Sequence, residues 1–249
     1  MPPVTDVPDF RRPDAAIVLI SPWLVPDAGS QRPAADAVLA GWERQRRPDA
    51  MLALSAFLST DGSHVLNYAQ WTDDAAHREW ARTRRQAGVD RIDQALPGIR
   101  RPGLIRYRHY RSHVPEEPAA PRPAFLTTPA FATTGPDAQR ALADTVVGIL
   151  DRARVPGLLG AHLHLARGGD RVLTIAEWAD ADAWREFTAT GTTGAADRLR
   201  AAIGALPGVT PVLAVPVDGP AADTRQAPPA VPLYRPHGTV VNVPSPRPR

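Results

Sequence analysis

An internal repeat constrains the fold of this chain more than any other feature of its sequence. Residues 65–80 align without a gap with residues 172–187, at an offset of 107, and eight of the sixteen positions are identical. The same offset extends backward, where Pro22 meets Pro129. The tetrapeptide at 95–98 returns at 205–208 at an offset of 110, which indicates a short insertion near 188–195. A collinear series of this length indicates a duplicated module.

Both copies show the same order of predicted elements. The hydrophobic periodicity of the first copy predicts strands at 15–24, 51–59, 65–71 and 104–111, and helices at 33–47, from 73 to about 85, and at 90–95. The second copy predicts strands at 124–133, 158–167, 172–178 and 209–217, and helices at 137–154 and from about 180. The order β-α-β-β-α-β is typical of the ferredoxin-like fold. We therefore expect an α+β protein in which two tandem modules form a dimeric-α/β-barrel-type arrangement.

Proline-rich segments mark the predicted domain boundaries. The sequence suggests a flexible N-terminal arm and a C-terminal tail, and the tail carries apolar residues near 233–241 with which it could dock. The predicted ranges are an arm at 1–14, a first domain at 15–112, a linker at 113–123, a second domain at 124–218 and a tail at 219–249.

Composition excludes several classes of function. All 29 basic residues are arginine, and they are nearly balanced by 26 acidic residues, which argues against a nucleic-acid interface. Cysteine is absent, so disulfides and thiolate metal sites are excluded. The sequence shows neither a signal-peptide pattern at its start nor an apolar run of membrane-spanning length. We expect a cytoplasmic protein without a membrane partner.

The third predicted strand carries a motif with functional meaning. The string Asn67-Tyr68-Ala69-Gln70-Trp71 follows Asp61-Gly62 and precedes an acidic helix start. In this setting it resembles the antibiotic biosynthesis monooxygenase family, and above all the small anthrone oxygenases of aromatic polyketide pathways. The resemblance covers most of residues 15–112, and 124–218 more weakly.

This resemblance implies both a fold and a chemistry. The fold is the dimeric α+β barrel, closed within one chain or in a homodimer. The chemistry is oxidation of a polycyclic phenol or anthrone by molecular oxygen, without metal, flavin or haem, to a quinone or a hydroxylated product. Haem-degrading relatives place a helix histidine ten residues after the tryptophan, where this chain has Ala81. The expected partner is therefore a small aromatic polyketide and the expected cofactor is none.

Four residues are candidates for the catalytic site. Asn67 and Trp71 match the motif, and Arg91 falls where the family has an arginine. His77 stands where the anthrone enzymes have a tyrosine, so a proton transfer assigned to that tyrosine does not carry over directly.

Each candidate also has a structural interpretation. Trp71 could be a core anchor, and Asn67 could satisfy backbone groups instead of donating to a substrate oxyanion. His77 could be a buried core residue or a proton acceptor. Arg91 could form a surface ion pair or stabilise a developing negative charge.

The two copies differ at two of these positions. Thr174 replaces Asn67 and Trp184 replaces His77, whereas Trp178 repeats Trp71 and Arg198 lies 107 residues after Arg91. We therefore expect the first copy to carry the active pocket and the second to complete the fold.

Two further patterns leave functional alternatives open. His162 and His164 share a strand face, which suggests a polar pocket more than a metal site, because no third ligand lies near them in sequence. The run from Arg106 to Arg111 is typical of a solvated or edge strand. An aromatic polyketide cyclase, which needs no oxygen, or a non-catalytic polyketide-binding protein would fit the same pocket.

Overall fold

The computed structural model describes residues 7–44, 47–116, 122–189, 194–212 and 231–242. The elements in these ranges are β1 (Ile17–Leu24), α1 (Gln31–Arg44), β2 (Met51–Ser59), β3 (His64–Trp71), α2 (Asp74–Thr83), α3 (Arg85–Ala95), β4 (Ile105–His113), β5 (Phe125–Thr127), β6 (Ala130–Thr133), α4 (Pro136–Leu150), β7 (Leu158–Ala166), β8 (Arg171–Trp178), α5 (Ala181–Thr188), α6 (Ala195–Gly204), β9 (Val209–Val212) and β10 (Leu233–Val241). They form two compact units, Met1–Tyr107 with Arg235–Arg249, and Arg108–Tyr234. None of the described helices is long and apolar enough to cross a membrane.

The first unit has the predicted β-α-β-β-α-β order. Strand β3 is its centre, pairing antiparallel with β1 and with β2, and β1 pairs in turn with β4. The turn between β2 and β3 contains Gly62 at φ +76°, and a Cβ there would lie 2.6 Å from the Cβ of Ala28. A glycine is therefore required for both the backbone conformation and the close approach.

The helices of the first unit cover one face of its sheet. The core between them contains large buried side chains such as Trp42, Leu54 and Trp71, with Trp80 and Ile92 packed against it. Side chains alternate along a strand, so Tyr68, which follows Asn67 on β3, faces away from the helices. The helix-covered face and the opposite face of the sheet therefore have different surroundings.

Part of the predicted N-terminal arm is anchored on that opposite face. Phe10 is 2% exposed, and its ring lies 5.2 Å from that of Tyr68 and 6.4 Å from that of Phe57. The expectation of a flexible arm over residues 1–14 is therefore wrong for residues 7–14, because one aromatic side chain holds them against the sheet. Residues 1–6 lie outside the described part.

The second unit repeats the pattern with one difference. Strands β7 and β8 form the expected hairpin, with Gly169 at φ +80° in its turn. The single strand predicted at 124–133 is divided into β5 and β6, which both pair with β8. The division falls at Thr128 and Pro129, and proline has no N–H to continue a ladder.

The unit boundaries differ from the predicted domain ranges in two strands. The first boundary falls inside β4, ahead of the predicted linker at 113–123, and the second falls inside β10. Residues 117–121 of the linker and most of the tail, 219–230 and 243–249, lie outside the described residues.

Within the tail, β10 is a true strand: Tyr234 is fully buried, and Thr239 Oγ1 donates to Ser55 Oγ at 2.8 Å. The expected docking of this segment is confirmed.

Candidate active site

A cavity of about 240 Å³ lies between the sheet and the helices of the first unit. Its walls include all four predicted site residues, Asn67, Trp71, His77 and Arg91. The sequence-based choice of these four side chains therefore selects residues that the fold brings to one place.

The local structure explains why these residues meet. Asn67 and Trp71 are four residues apart on β3, so both face the helices. His77 lies at the start of α2, which Asp73 caps by accepting from the backbone N–H groups of Ala75 and Ala76. Arg91 is on α3, which borders the cavity together with α1 and α2.

Aromatic rings form most of one wall. The indoles of Trp42 and Trp80 stack with centroids 4.6 Å apart, and Trp71 lies 5.8 Å from Trp80. The imidazole of His77 meets the indole of Trp71 edge-on at 5.0 Å. Stacked and edge-on rings of this kind suit a flat aromatic ligand.

The indole N–H of Trp71 has no hydrogen-bond partner among the described residues, although the side chain is fully buried. Its repeat mate Trp178 donates to Thr127 Oγ1 at 3.0 Å. Strand pairing shows what has changed: Thr127 pairs with Ala176 in the second unit, and in the first unit Leu19 pairs with the matching Ala69. Leucine cannot accept a hydrogen bond, so the first unit leaves a buried donor unsatisfied beside the cavity.

Of the two polar atoms in the Asn67 side chain, one has a hydrogen-bond partner among the described residues and one has none. Its Nδ2 donates to the carbonyl of Ser21 at 3.3 Å, whereas Oδ1 is buried and has no donor among the described residues. The family resemblance implies that Asn67 donates to an oxyanion. The geometry leaves the acceptor atom available instead, and this atom suits a substrate hydroxyl.

His77 is held as a neutral imidazole. Burial first, and then the positive charge of Arg106, lower its pKa to about 4 against the raising effect of Asp74. Arg106 can only donate, and its guanidinium lies 3.3 Å from Nδ1, so Nδ1 accepts and the proton of the neutral ring is on Nε2. Asp74 fixes the arginine with an ion pair of 2.9 Å.

This tautomer changes the role expected of His77. A proton acceptor needs a free basic nitrogen and a pKa near neutrality. Here the basic nitrogen already accepts from Arg106, and Nε2 has no hydrogen-bond partner among the described residues. His77 is therefore arranged to donate a hydrogen bond to a ligand in the cavity.

Arg91 lies at the open side of the cavity. Its side chain is exposed, and Nε donates to the carbonyl of Ala87 one helical turn earlier at 3.0 Å. Arg91 lines the cavity and is exposed to solvent, so it belongs to the mouth of the cavity more than to its aromatic wall.

Sequence reasoning missed the group that fixes His77. The interpretation of residues 106–111 as a solvated or edge strand is wrong at its start, because Tyr107 is 2% exposed and Arg106 pairs with Asp74. No local pattern reveals that contact, which joins residues 32 apart.

The matching positions of the second unit also carry aromatic rings. Trp184, in the place of His77, lies 5.3 Å from Trp178, and Phe187 lies 5.3 Å from the same ring. Both belong to the hydrophobic core of that unit. The copies therefore differ here in chemistry, because the indole of Trp184 replaces the imidazole of His77.

The structure corrects one pairing between the copies. Helix α3 begins at Arg85 and α6 at Ala195, which places the offset of 110 over the whole helix. At that offset Arg91 corresponds to Ala201 and not to Arg198. Arg91 is thus not repeated, because the insertion precedes α6.

His162 and His164 lie on the sheet face of the second unit that faces away from its helices. His162 contacts Glu177 at 2.9 Å and Ser112 at 2.8 Å, and Ser112 also contacts His109 at 2.8 Å. Burial first, then the nearby His109 and His162, lower the pKa of His164 to about 3. No group of three or more histidine or acidic side chains suited to a metal ion occurs in the described part of the chain.

Comparison with known proteins identifies the class of the fold. The family model described as antibiotic biosynthesis monooxygenase matches residues 127–199, in the second module. A comparison with curated proteins gives no significant match. The chain is similar to the solved structure of an anthrone oxidase-like protein, with a TM-score of 0.67 at 13% identity over 96% of each chain.

Two further solved structures share this fold at low identity. A putative monooxygenase from Fusobacterium nucleatum subsp. nucleatum has a TM-score of 0.54 at 9% identity, over 90% of this chain and 94% of that one. A putative chlorite dismutase has a TM-score of 0.51 at 9% identity, over 88% and 93%. These likenesses confirm the predicted class, two tandem ferredoxin-like modules of the dimeric α/β-barrel type. The second module therefore resembles the antibiotic biosynthesis monooxygenases, and the whole chain shares its fold with an anthrone oxidase-like protein.

Proposed function

We propose that this protein is a monooxygenase that oxidises a polycyclic phenol or anthrone of aromatic polyketide biosynthesis with O2, without a cofactor. The observation that carries the proposal is the cavity of the first unit, whose lining holds buried polar atoms of both kinds without partners among the described residues: the donors Trp71 Nε1 and Trp80 Nε1 and the acceptor Asn67 Oδ1. Buried polar groups are normally satisfied, and a ligand that carries both a hydroxyl and an oxyanion would satisfy both kinds.

The proposed reaction begins with the substrate anion. The ring lies against the indoles, Trp71 Nε1 and His77 Nε2 donate to the phenolate oxygen, and Asn67 Oδ1 accepts from a neighbouring hydroxyl. Fixed donors in a site screened from water favour the anion without reorganisation. The released proton leaves through the open mouth to solvent, because His77 is not arranged to take it.

The oxygen chemistry then needs no further group from the protein. The anion gives one electron to O2, and the resulting radical pair combines to form a C–O bond and a hydroperoxide. Loss of water, with the C–H hydrogen leaving as a proton and the O–O bond breaking, gives the quinone. One O2 is consumed and one water released for each carbonyl formed, so an anthrone is converted to its quinone.

Oxygen uptake tests this proposal directly. The metal-stripped protein is mixed with dithranol, a dihydroxyanthrone, in an oxygen electrode, and quinone is measured in parallel. We expect one O2 consumed per quinone formed, at a rate well above the uncatalysed oxidation. Absence of enzyme-dependent uptake with dithranol and with a wider panel of anthrones and naphthacenones would refute the oxygenase.

The alternative functions give different results in the same assay. A cyclase would turn over its substrate without oxygen, and it would need a base poised near neutral pH, which the low pKa of His77 disfavours. A polyketide-binding protein would bind the ring and leave it unchanged. Anaerobic turnover would favour the first and tight binding without turnover the second.

A further inference from the structure

Arginine side chains surround the mouth of the cavity. They come from the end of α1 and from the start and middle of α3, and they are Arg44, Arg84, Arg85 and Arg91. We call these four residues the arginine rim. None of them makes an ion pair with a carboxylate in the described part of the chain, whereas other arginines of the same unit do: Arg78, Arg82, Arg101 and Arg106.

Arg85 is the most enclosed member of the rim. It is half-buried, and burial and then the neighbouring guanidinium of Arg101 lower its pKa. Arg101 is itself held beside the cavity, with its guanidinium 4.2 Å from the ring of Trp23, one of the lining residues. Two like charges are thus kept close together next to an apolar space.

The carboxylate of Asp93 offsets part of this positive charge, but it is already paired with Arg101. Asp93 forms an ion pair of 2.7 Å with Arg101, and its effect on Arg85 is smaller than that of Arg101. The Nε of Arg101 is buried and has no partner among the described residues. An anion at the mouth would relieve repulsion that the protein itself leaves in place.

The repeat supplies an internal comparison. At the offsets of 107 before the insertion and 110 after it, the four rim positions correspond to residues without a guanidinium: Asp151, Gly194, Ala195 and Ala201. The second unit therefore lacks the rim at the matching positions, and the unit with the proposed site has it. The rim therefore occurs with this cavity and is not a general feature of the repeated fold.

We propose that the arginine rim binds a carboxylate carried by the aromatic substrate, with Arg85 as its main ligand. This inference rests on the proposed function and names the substrate class of that site: a phenolic polycycle with a carboxylate appended to it. The flat ring fills the cavity, so the anionic group extends to the mouth, where the guanidinium groups match its planar, two-oxygen geometry.

The test compares two quinones that bind without reacting. Danthron is a dihydroxyanthraquinone, and rhein is the same ring system with one carboxylate. Affinities are measured by quenching of tryptophan fluorescence, because four indoles line the cavity. We expect rhein to bind about tenfold more tightly than danthron at low salt, and 0.5 M salt to reduce this ratio because the extra attraction is between charges.

Variants then assign the effect to the rim. Arg85→Gln should bring the rhein-to-danthron affinity ratio close to one, and Arg91→Gln should lower it less. Arg82→Gln, which removes an exposed arginine paired with Glu79, is the matched control and should keep the ratio. Equal affinities in the unaltered protein, or a ratio that Arg85→Gln and high salt leave unchanged, would overturn the inference.

Turnover separates this inference from the proposed function. Dithranol and rhein anthrone are the corresponding reduced pair, and their KM values should differ in the same direction as the quinone affinities. Oxidation of both with equal KM would overturn the carboxylate site and leave the oxygenase standing. Selective binding of rhein without any oxygen uptake would support the carboxylate site and refute the oxygenase.

Discussion

Trp71 and Trp178 occupy equivalent positions and are equally buried, yet their N–H groups have different surroundings. Trp178 donates to Thr127, while Leu19 in the equivalent place leaves Trp71 Nε1 without a partner among the described residues. A hydrogen bond inside the protein contributes to stability, whereas an unsatisfied donor beside a cavity is available to a ligand. In the proposed function, Trp178 therefore serves stability and Trp71 serves catalysis.

Phenylalanine at these two positions should give opposite results. Trp71→Phe keeps an aromatic ring and removes the donor, so we expect kcat/KM to fall about a hundredfold. Trp178→Phe breaks the bond to Thr127 and should cost about 2 kcal/mol more stability than Trp71→Phe, with little effect on kcat/KM. Thermal unfolding and oxygen uptake measure the two effects. Equal losses of activity in both variants would contradict this division.

The depressed pKa of His77 predicts a dependence of stability on pH. The folded state takes up this proton near pH 4 and the unfolded state near pH 6.5, so between these values the unfolded state binds more protons. The stabilising contribution of neutral His77 is complete above pH 6.5 and is lost as the pH falls toward 4. The loss amounts to about 3 kcal/mol at most.

Urea unfolding at pH 5 and pH 7 checks this expectation. The unaltered protein should lose more stability between the two values than His77→Phe does. His64 and His164 also have lowered pKa values and titrate in both proteins, so the difference between proteins isolates His77. An identical loss in both would show that His77 does not titrate as described.

At the scale of elements, the helix-covered face and the opposite face of the first sheet have separate tasks. Strand β3 presents Asn67 and Trp71 to the cavity, and Tyr68 to the N-terminal segment. The strand could be predicted from its alternation, and the facing of Asn67 and Trp71 follows from the same period. The contact with Phe10 could not, because nothing local in a proline-rich segment indicates what it covers.

The anchored N-terminal segment is open to a direct test. Phe10→Ala removes a ring that packs on Tyr68 and Phe57, and it should lower the free energy of unfolding by about 3 kcal/mol. Arg11→Ala, at the exposed neighbouring position, should change it little. Limited proteolysis should cut Phe10→Ala first within residues 7–14. Equal stability of the two variants would mean that the segment contributes nothing to the fold.

At the scale of the whole molecule, the repeat predicted the architecture but not every correspondence within it. Hydrophobic periodicity predicts two modules because each strand and helix carries its own pattern. The pairing of Arg91 with Arg198 was wrong, since sequence alone did not show that the insertion precedes α6. The hydrogen-bonding state of Trp71, Asn67 and His77 was also beyond prediction, because it depends on residues from other strands such as Leu19 and Arg106.

Paired variants test the division of labour between the copies. Asn67→Ala and Arg91→Ala alter residues that line the open cavity, so each should reduce kcat/KM, the first about tenfold through a lost hydrogen bond. Thr174→Ala and Arg198→Ala alter the second copy and should leave turnover nearly intact. Oxygen uptake under identical conditions compares all four. A large loss confined to the second pair would reverse the assignment.

The replacement of Asn67 and His77 in the second copy also bears on the number of ligands that each chain binds. Duplication doubled the modules, yet the Asn67 and His77 that hold the ring in our proposal are in the first unit, and Thr174 and Trp184 stand in their places in the second. Calorimetric titration with danthron should therefore saturate at one equivalent per chain. With a single site in each chain, the isotherm should be hyperbolic, so a Hill coefficient above one would report communication between chains and not between the two halves of one.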